Sequence, residues 1–203
     1  MRPIARRTVL ASAAAGLACP AIAQGAPLKI GLMLPFSGTF AALGENIAAA
    51  FELYLEEHGN KLGGRAVTLV RVDDESDPSK APANVNRLLG RENADVLVGT
   101  VHSGVVMALV QAAREKEVPL FIPNAGNVAA TRELCAPTVF RSSFSNWQPA
   151  YGMGRALAAQ GVKKAAWVTW DYAAGKESGE GFADGLKAGG AELVKVLALP
   201  FPE

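Results

Sequence analysis

His102 and Ser103 stand side by side, and an imidazole next to a hydroxyl is the first pair to test for nucleophilic chemistry. Neighbouring side chains at a strand-to-helix turn point apart, so they do not form a nucleophile with its base. The stretch from Gly99 to Gly104 also lacks the Gly-x-Ser-x-Gly elbow of hydrolases. No Gly-x-Gly-x-x-Gly follows the first apolar run and no Gly-Lys-Ser/Thr phosphate loop occurs, which gives dinucleotides and nucleoside triphosphates no seat. Asp73, Asp74 and Asp77 resemble a metal cluster, but Asp77-Pro78 reads as a helix opening. Asp77 is therefore expected to cap that helix, while the other two orient the loop or face water. The other histidine, His58, falls at a distant helix end, so His102 is read as a loop residue and no metal or cofactor is expected. An enzyme is not expected. What remains is recognition without reaction, by four stretches rich in hydroxyl, amide and aromatic groups: Ser37-Gly38-Thr39, His102-Ser103-Gly104, residues 124–127 and residues 172–175.

The elements that must position these stretches alternate regularly. Residues 28–34, 67–72, 95–99 and 118–122 are short apolar runs, the pattern of buried parallel strands. Between the first two, Leu43, Ile47, Ala50, Phe51, Tyr54 and Leu55 recur at helical spacing, with Glu45, Glu52, Glu56 and Glu57 largely opposite. A second helix is expected after Asp77-Pro78, burying Ala81, Val85, Leu88 and Leu89. A third runs to about Lys116, capped by Ser103. Strand and helix alternate, and right-handed crossovers then give an open, doubly wound α/β sheet. After a loop at residues 124–131, residues 140–144 read as a connecting strand into a second unit. Its expected elements are a helix at 147–160, a strand at 165–170, a helix at 179–188 and a strand at 192–199. A sheet of so few strands leaves an apolar face uncovered, which points to a fragment of a larger two-lobed protein. In such sheets ligands lie beyond the carboxyl ends of the strands, where helix N-termini offer free N–H groups suited to a carboxylate. All four stretches fall at those ends.

The chain opens with Arg6-Arg7, an uncharged apolar run at 9–18 and the small-x-small exit Ala21-Ile22-Ala23, the form of a cleavable export leader over residues 1–24. The paired arginines fit the twin-arginine route. Gly16 stands where a lipidation site at Cys19 would want a large aliphatic residue. Removal after Ala23 leaves about 180 residues, enough for one lobe and part of another. Lys and Arg total 20 against 19 Asp and Glu, with no basic run, so nucleic acid is not an expected partner. After the leader no apolar stretch is long enough to span a bilayer. Cys135 is left without an internal partner and is expected to be half-buried near a loop.

From Leu28 onward the chain resembles the periplasmic solute-binding proteins of the branched-chain amino acid, or leucine-binding, type. The resemblance is carried by Ile30-Gly31 to Pro35-Phe36-Ser37-Gly38, Val72-Asp73-Asp74-Glu75-Ser76-Asp77-Pro78 and Val98-Gly99 to Ser103. Pro119-Leu120-Phe121-Ile122-Pro123 to Asn127, Phe140-Arg141 and Asp171-Tyr172-Ala173-Ala174-Gly175 complete it. It implies the ligand-capturing component of an ATP-driven importer, a monomer of two α/β lobes that closes on a small molecule and delivers it to a membrane permease. It also implies a protein about twice this length. Residues 25–138 then form the first lobe, and residues 139–203 the hinge crossing and part of the second.

By the same resemblance Ser37, Ser103, Ala125 and Asn127 contact ligand from the first lobe, and Tyr172 and Ala174 from the second. Asn127 stands where amino acid binders often carry threonine. Leu43 and Ala174 stand where leucine-type binders commonly place aromatic rings, with Tyr172 and Trp147 available to fill the space. The expected ligand is an amino acid or a related compound such as an amide or an aromatic acid. Ser76 and His102 replace a cysteine pair frequent in the family, so that disulfide is absent. A ligand-sensing module of the same fold, or a remnant that binds nothing, are the alternatives.

Overall fold

The computed structural model describes residues 25–202, so the export-leader reading lies outside the described residues. Among the described residues fifteen elements follow one another. The first sheet is built from β1 (Leu28–Leu34), β2 (Lys61–Leu62), β3 (Arg65–Asp73), β4 (Val96–Gly99), β5 (Leu120–Ile122) and β6 (Val139–Arg141). Its order is β2-β3-β1-β4-β5-β6, and every pairing is parallel except the short β2–β3 hairpin. That hairpin was not expected. Its turn is made by Gly63 and Gly64, both at positive φ, where glycine carries no Cβ penalty.

Helices cover both faces of this sheet. On one side lie α2 (Ala81–Asn86), which continues into a π-helical turn at Arg87–Arg91, and α3 (Val106–Lys116). They bury Leu88, Val106, Leu109 and Val110 against Met33, Leu97, Leu120 and Ile122. On the other side α1 (Ala41–Glu57) packs Ala48 and Phe51 on Ile30, Leu32, Leu34 and Val98. The buried line of α1 is Gly44, Ala48 and Leu55, so the helix is turned relative to the expected stripe, and Leu43 and Tyr54 are exposed. Gly44 is the physical reason: a Cβ there would collide with the Pro35 carbonyl, so the helix rests its bare edge on the β1 loop. Beside α1 this face continues uncovered to Phe121 and Phe140, stacked on each other at 5.3 Å and exposed.

From β6 the chain enters the second unit. Here α4 (Trp147–Ala159) and α5 (Ala173–Ala188) pack on one face of a parallel pair, β7 (Lys164–Trp170) and β8 (Glu192–Leu199). Phe182 and Leu186 are its buried centre, with Trp167 5.0 Å from Phe182. The connecting strand expected at 140–144 is β6, which ends at Arg141 and hydrogen-bonds to β5 as the last strand of the first sheet. The helix expected at 179–188 begins six residues earlier, at Ala173. Glycines at 175, 179, 181 and 185 weaken the helical pattern in the sequence. In the structure Gly181 and Gly185 instead let α5 press on the backbone of α4. The outer face of β7–β8 is open, with the paired Val168 61 % and Leu197 42 % exposed, as expected for a sheet this narrow. Among the described residues no helix is long and apolar enough to cross a membrane.

Candidate ligand-binding cleft

The loops leaving the carboxyl ends of β1, β3, β4 and β5 are tied to each other sideways. Asp73 accepts hydrogen bonds from the backbone N–H groups of Phe36, Ser37 and Glu75 and from Ser37 Oγ at 2.6 Å. Partial burial opposes ionisation, but these donors outweigh it and hold the Asp73 carboxyl below the usual range. Asp74 is fully buried and accepts from Thr100 Oγ1 and Ser76 N–H. Burial raises its pKa in spite of those donors. Thr100 in turn accepts the Ala125 N–H at 2.9 Å through its carbonyl. Asp74, Thr100 and Ala125 thus join three loops into one rim.

Two helix-capping expectations are corrected. Asp77 Oδ1 accepts the Ser79 N–H at 2.8 Å and closes a turn, while α2 starts later, at Ala81, with Pro82 in its first turn. Ser103 does not cap α3. The residue before it does: His102 Nδ1 accepts the N–H groups of Gly104 at 3.0 Å and Val105 at 3.4 Å. The amides at this helix start are therefore not free for an anion. His102 lies in a loop, as expected, but it is buried, and burial lowers its pKa against the pull of Asp77.

The His102 ring is also the middle of an aromatic cluster drawn from both lobes. Its centroid lies 6.2 Å from Phe40, 5.1 Å from Tyr172 and 5.0 Å, edge-on, from Phe201. Phe201 follows β8 and also meets Phe40, Trp170 and Tyr172 within 5.7 Å. Thr39 Oγ1 donates to the Pro202 carbonyl at 3.0 Å, which fastens this loop to the first lobe. Two hollows flank the cluster. One of 420 Å³ is lined by Asn146, Trp167, Trp170, Tyr172, Ala174 and Ser178. The other, of 550 Å³, is lined by Thr39, Asp77, Lys80, His102, Tyr172 and Phe201.

Ser103, next to His102 in the chain, belongs to a set of buried contacts that joins the two lobes through Asn146. Ser103 is 2 % exposed, Ala125 is fully buried and Asn127 is 7 % exposed. Asn127 Nδ2 points to the Ser103 carbonyl at 3.5 Å, and its Oδ1 is buried with no partner. Arg141 donates to the Asn127 carbonyl at 2.7 Å. From the second lobe, Glu177 accepts the Val128 N–H at the start of the 3-10 turn Val128–Thr131 and the Asn146 amide at 2.7 Å. Burial raises the Glu177 pKa despite these donors. A carboxylate thus does sit at a helical start facing the cleft, but it is the protein's own.

Of the residues singled out from sequence, Asn127 meets Ser103, Ala125 is tied to Thr100, and Tyr172 and Ala174 line the 420 Å³ hollow, whose lining does not include the first three. Ser37 stands apart: it is exposed and its hydroxyl is committed to Asp73. Trp147 does not reach the cleft; its Nε1 donates to Asp184 and its ring stacks on Tyr151, whereas Trp167 and Trp170 line the hollow. Cys135 is exposed. Asn146, Glu177 and Phe201 were missed. Only Asn146 left a trace, as a cap-type residue just before an apolar helical run. Among the described residues no group of three or more His, Cys, Asp or Glu side chains could hold a metal ion.

Two α/β units whose strand ends and loops converge on one cleft define the class of bilobal ligand-binding proteins. Residues 27–203 match the periplasmic binding protein family, and the chain belongs to that family. It is 32 % identical over 174 residues to the Leu/Ile/Val-binding protein homolog 6 of Brucella abortus, covering 85 % of this chain and 44 % of that protein. An ABC transporter solute-binding protein from R. palustris, solved in complex with benzoate, is 51 % identical with a TM-score of 0.84, covering 87 % of this chain and 49 % of that one. A second, from Rhodopseudomonas palustris BisB5 in complex with 3,4-dihydroxybenzoic acid, is 29 % identical with a TM-score of 0.80 at the same coverage. The chain spans about half the length of these relatives.

Proposed function

We propose that this chain belongs to the exported ligand-capturing component of an ATP-driven importer, and that its ligand is a small aromatic carboxylate. The observation that carries the reading is the juxtaposition in the cleft. Rings of Phe40, His102, Trp170, Tyr172 and Phe201 gather from both lobes, and Asn146, which lines a hollow with Trp170 and Tyr172, hydrogen-bonds the buried Ser103. Flat rings stack on an aromatic ligand, while hydroxyl and amide groups take its charged end. Ala174, which lines the 420 Å³ hollow, leaves room there for a ligand that brings its own ring. The benzoate bound by the 51 % identical relative supports the same class over leucine.

On this reading Ser103, Ala125 and Asn127 contact the carboxylate end, Tyr172 and Ala174 border the ring, and Ser37 shapes the rim through Asp73. Contacts from both lobes link binding to closure, and the closed form is what a membrane permease accepts. Periplasmic residence, export by the twin-arginine leader and a monomeric state belong to the same proposal, and no catalytic step is part of it. The test is thermal unfolding of the protein from its complete gene. Benzoate at 100 times Kd is expected to stabilise it by about 2.7 kcal/mol. No shift with benzoate and a clear shift with leucine or isoleucine would return the ligand to the branched-chain class.

A further inference from the structure

Asn146 occupies a position fixed from several sides. Its backbone N–H donates to the Gly126 carbonyl at 2.8 Å, and a Cβ on Gly126 would run into the Asn146 side chain. Ser178 Oγ donates to its carbonyl at 3.2 Å. Its amide nitrogen lies 2.7 Å from Glu177 Oε2 and 3.1 Å from Ser103 Oγ. Glu177 settles which end of the amide faces the pair. Its carboxylate already receives the Val128 N–H and can only accept, so the NH2 end must face it and the carbonyl end must turn away. One amide hydrogen then goes to Glu177 and the other to Ser103.

The consequence falls on Ser103. Its oxygen receives the Asn146 hydrogen, so its own proton must leave in another direction, and no acceptor for it is found among the described residues. A serine hydroxyl ordinarily rotates to donate or accept as its neighbour requires. Here one lone pair is already committed.

We propose that Asn146 is a positioning residue that fixes Ser103 as a hydrogen-bond donor toward the cleft, and so selects a carboxylate over the corresponding carboxamide. This rests on the reading above that Ser103 meets the ligand's carboxylate. A carboxylate brings acceptors only and matches the fixed donor in either orientation. A carboxamide brings one acceptor and one donor and loses half its orientations against the same hydroxyl. Glu177 holds Asn146 from within the second lobe while Ser103 belongs to the first, so the donor is set only when the two lobes are together.

The experiment is calorimetric titration of the protein from its complete gene with benzoate and with benzamide, reading the ratio of the two affinities. Asn146→Asp keeps size and helix-capping ability but reverses the donor, so Ser103 must give its proton to residue 146 instead of the ligand. The ratio is expected to fall about tenfold, the scale of one charge-assisted hydrogen bond. In a Ser103→Ala background the same substitution is expected to change the ratio less than about threefold, since neighbours that act through each other are non-additive. Asn146→Leu, uncharged and of similar volume, serves if Asn146→Asp does not fold. It too is expected to lower the ratio, and to do so only when Ser103 is present.

An unchanged ratio in the Asn146 variants overturns the assignment, leaving Asn146 a helix-start residue. So does a fall of full size without Ser103, which is the mark of direct charge repulsion. Those results leave the aromatic carboxylate reading intact. A wild-type protein that does not bind benzoate overturns that reading, and this assignment with it.

Discussion

Glu177 of α5 receives the backbone N–H of Val128 at 3.1 Å, so a carboxylate of the second lobe sits on the first turn of a short helix in the first. Burial raises its pKa above the ordinary 4.5 although Asn146 and Val128 donate to it. A folded-state pKa above the unfolded one makes this group's contribution greatest below about 4.5, and that contribution declines as pH climbs through the folded value. Glu177→Gln cannot ionise. Denaturant unfolding between about pH 4 and 8 is expected to show a smaller decline with rising pH for the variant than for the wild type. Parallel curves would mean that Glu177 is solvated in solution.

His102 predicts the opposite slope. Its Nδ1 accepts two amides at the start of α3 and burial lowers its pKa below 6.5, so the folded state holds the neutral ring. Its contribution is complete above the unfolded pKa and is lost as pH falls from there toward the folded value. His102→Asn places an oxygen near Nδ1 and keeps the cap without titrating. The variant is expected to lose about 1 kcal/mol from missing ring contacts at neutral pH, but to lack the decline that sets in as pH falls below about 6.5.

The alternation of strands and helices, and with it the doubly wound class, was legible because buried parallel strands such as 28–34 are short apolar runs bounded by turn residues. Leu32 and Leu34 are fully buried in that strand. The loops at the strand ends were legible for the same reason. The first half of α5 was not, since glycines that permit close helix packing are the same residues that weaken a helical pattern. Nor was the capping role of His102: Ser103 has the commoner cap chemistry, and the deciding contact depends on which way two adjacent side chains turn. Phe201 and Glu177 become cleft residues only because a second lobe brings them within reach of Phe40 and Val128, a relation between residues far apart in the chain. Asn127 was named from family resemblance, but its unpartnered Oδ1 is a matter of burial, which the sequence does not display.

The packing of α4 on α5 gives a stability prediction independent of ligand. A Cβ at Gly185 would collide with the Tyr151 carbonyl and lie 3.0 Å from the Arg155 nitrogen, so Gly185→Ala must push the helices apart. A loss of about 1–3 kcal/mol is expected, measured by chemical denaturation. Gly152→Ala, which meets nothing within 4 Å, is the control and should be neutral or slightly stabilising.

Tyr172 touches both His102 and Phe201 and lines both hollows. Tyr172→Leu keeps an apolar side chain but removes the stacking face. Benzoate affinity is expected to fall about tenfold, the worth of one aromatic pair near 1.4 kcal/mol, with the unbound protein's melting temperature little changed. Equal loss of stability and affinity would make Tyr172 a packing residue only.

The most direct test of the aromatic carboxylate reading is calorimetric titration of the protein from its complete gene with benzoate and, separately, with leucine. One benzoate per chain, saturating at micromolar concentration, with no heat from leucine at millimolar concentration, is the predicted result. Saturable binding of leucine with none of benzoate would contradict it.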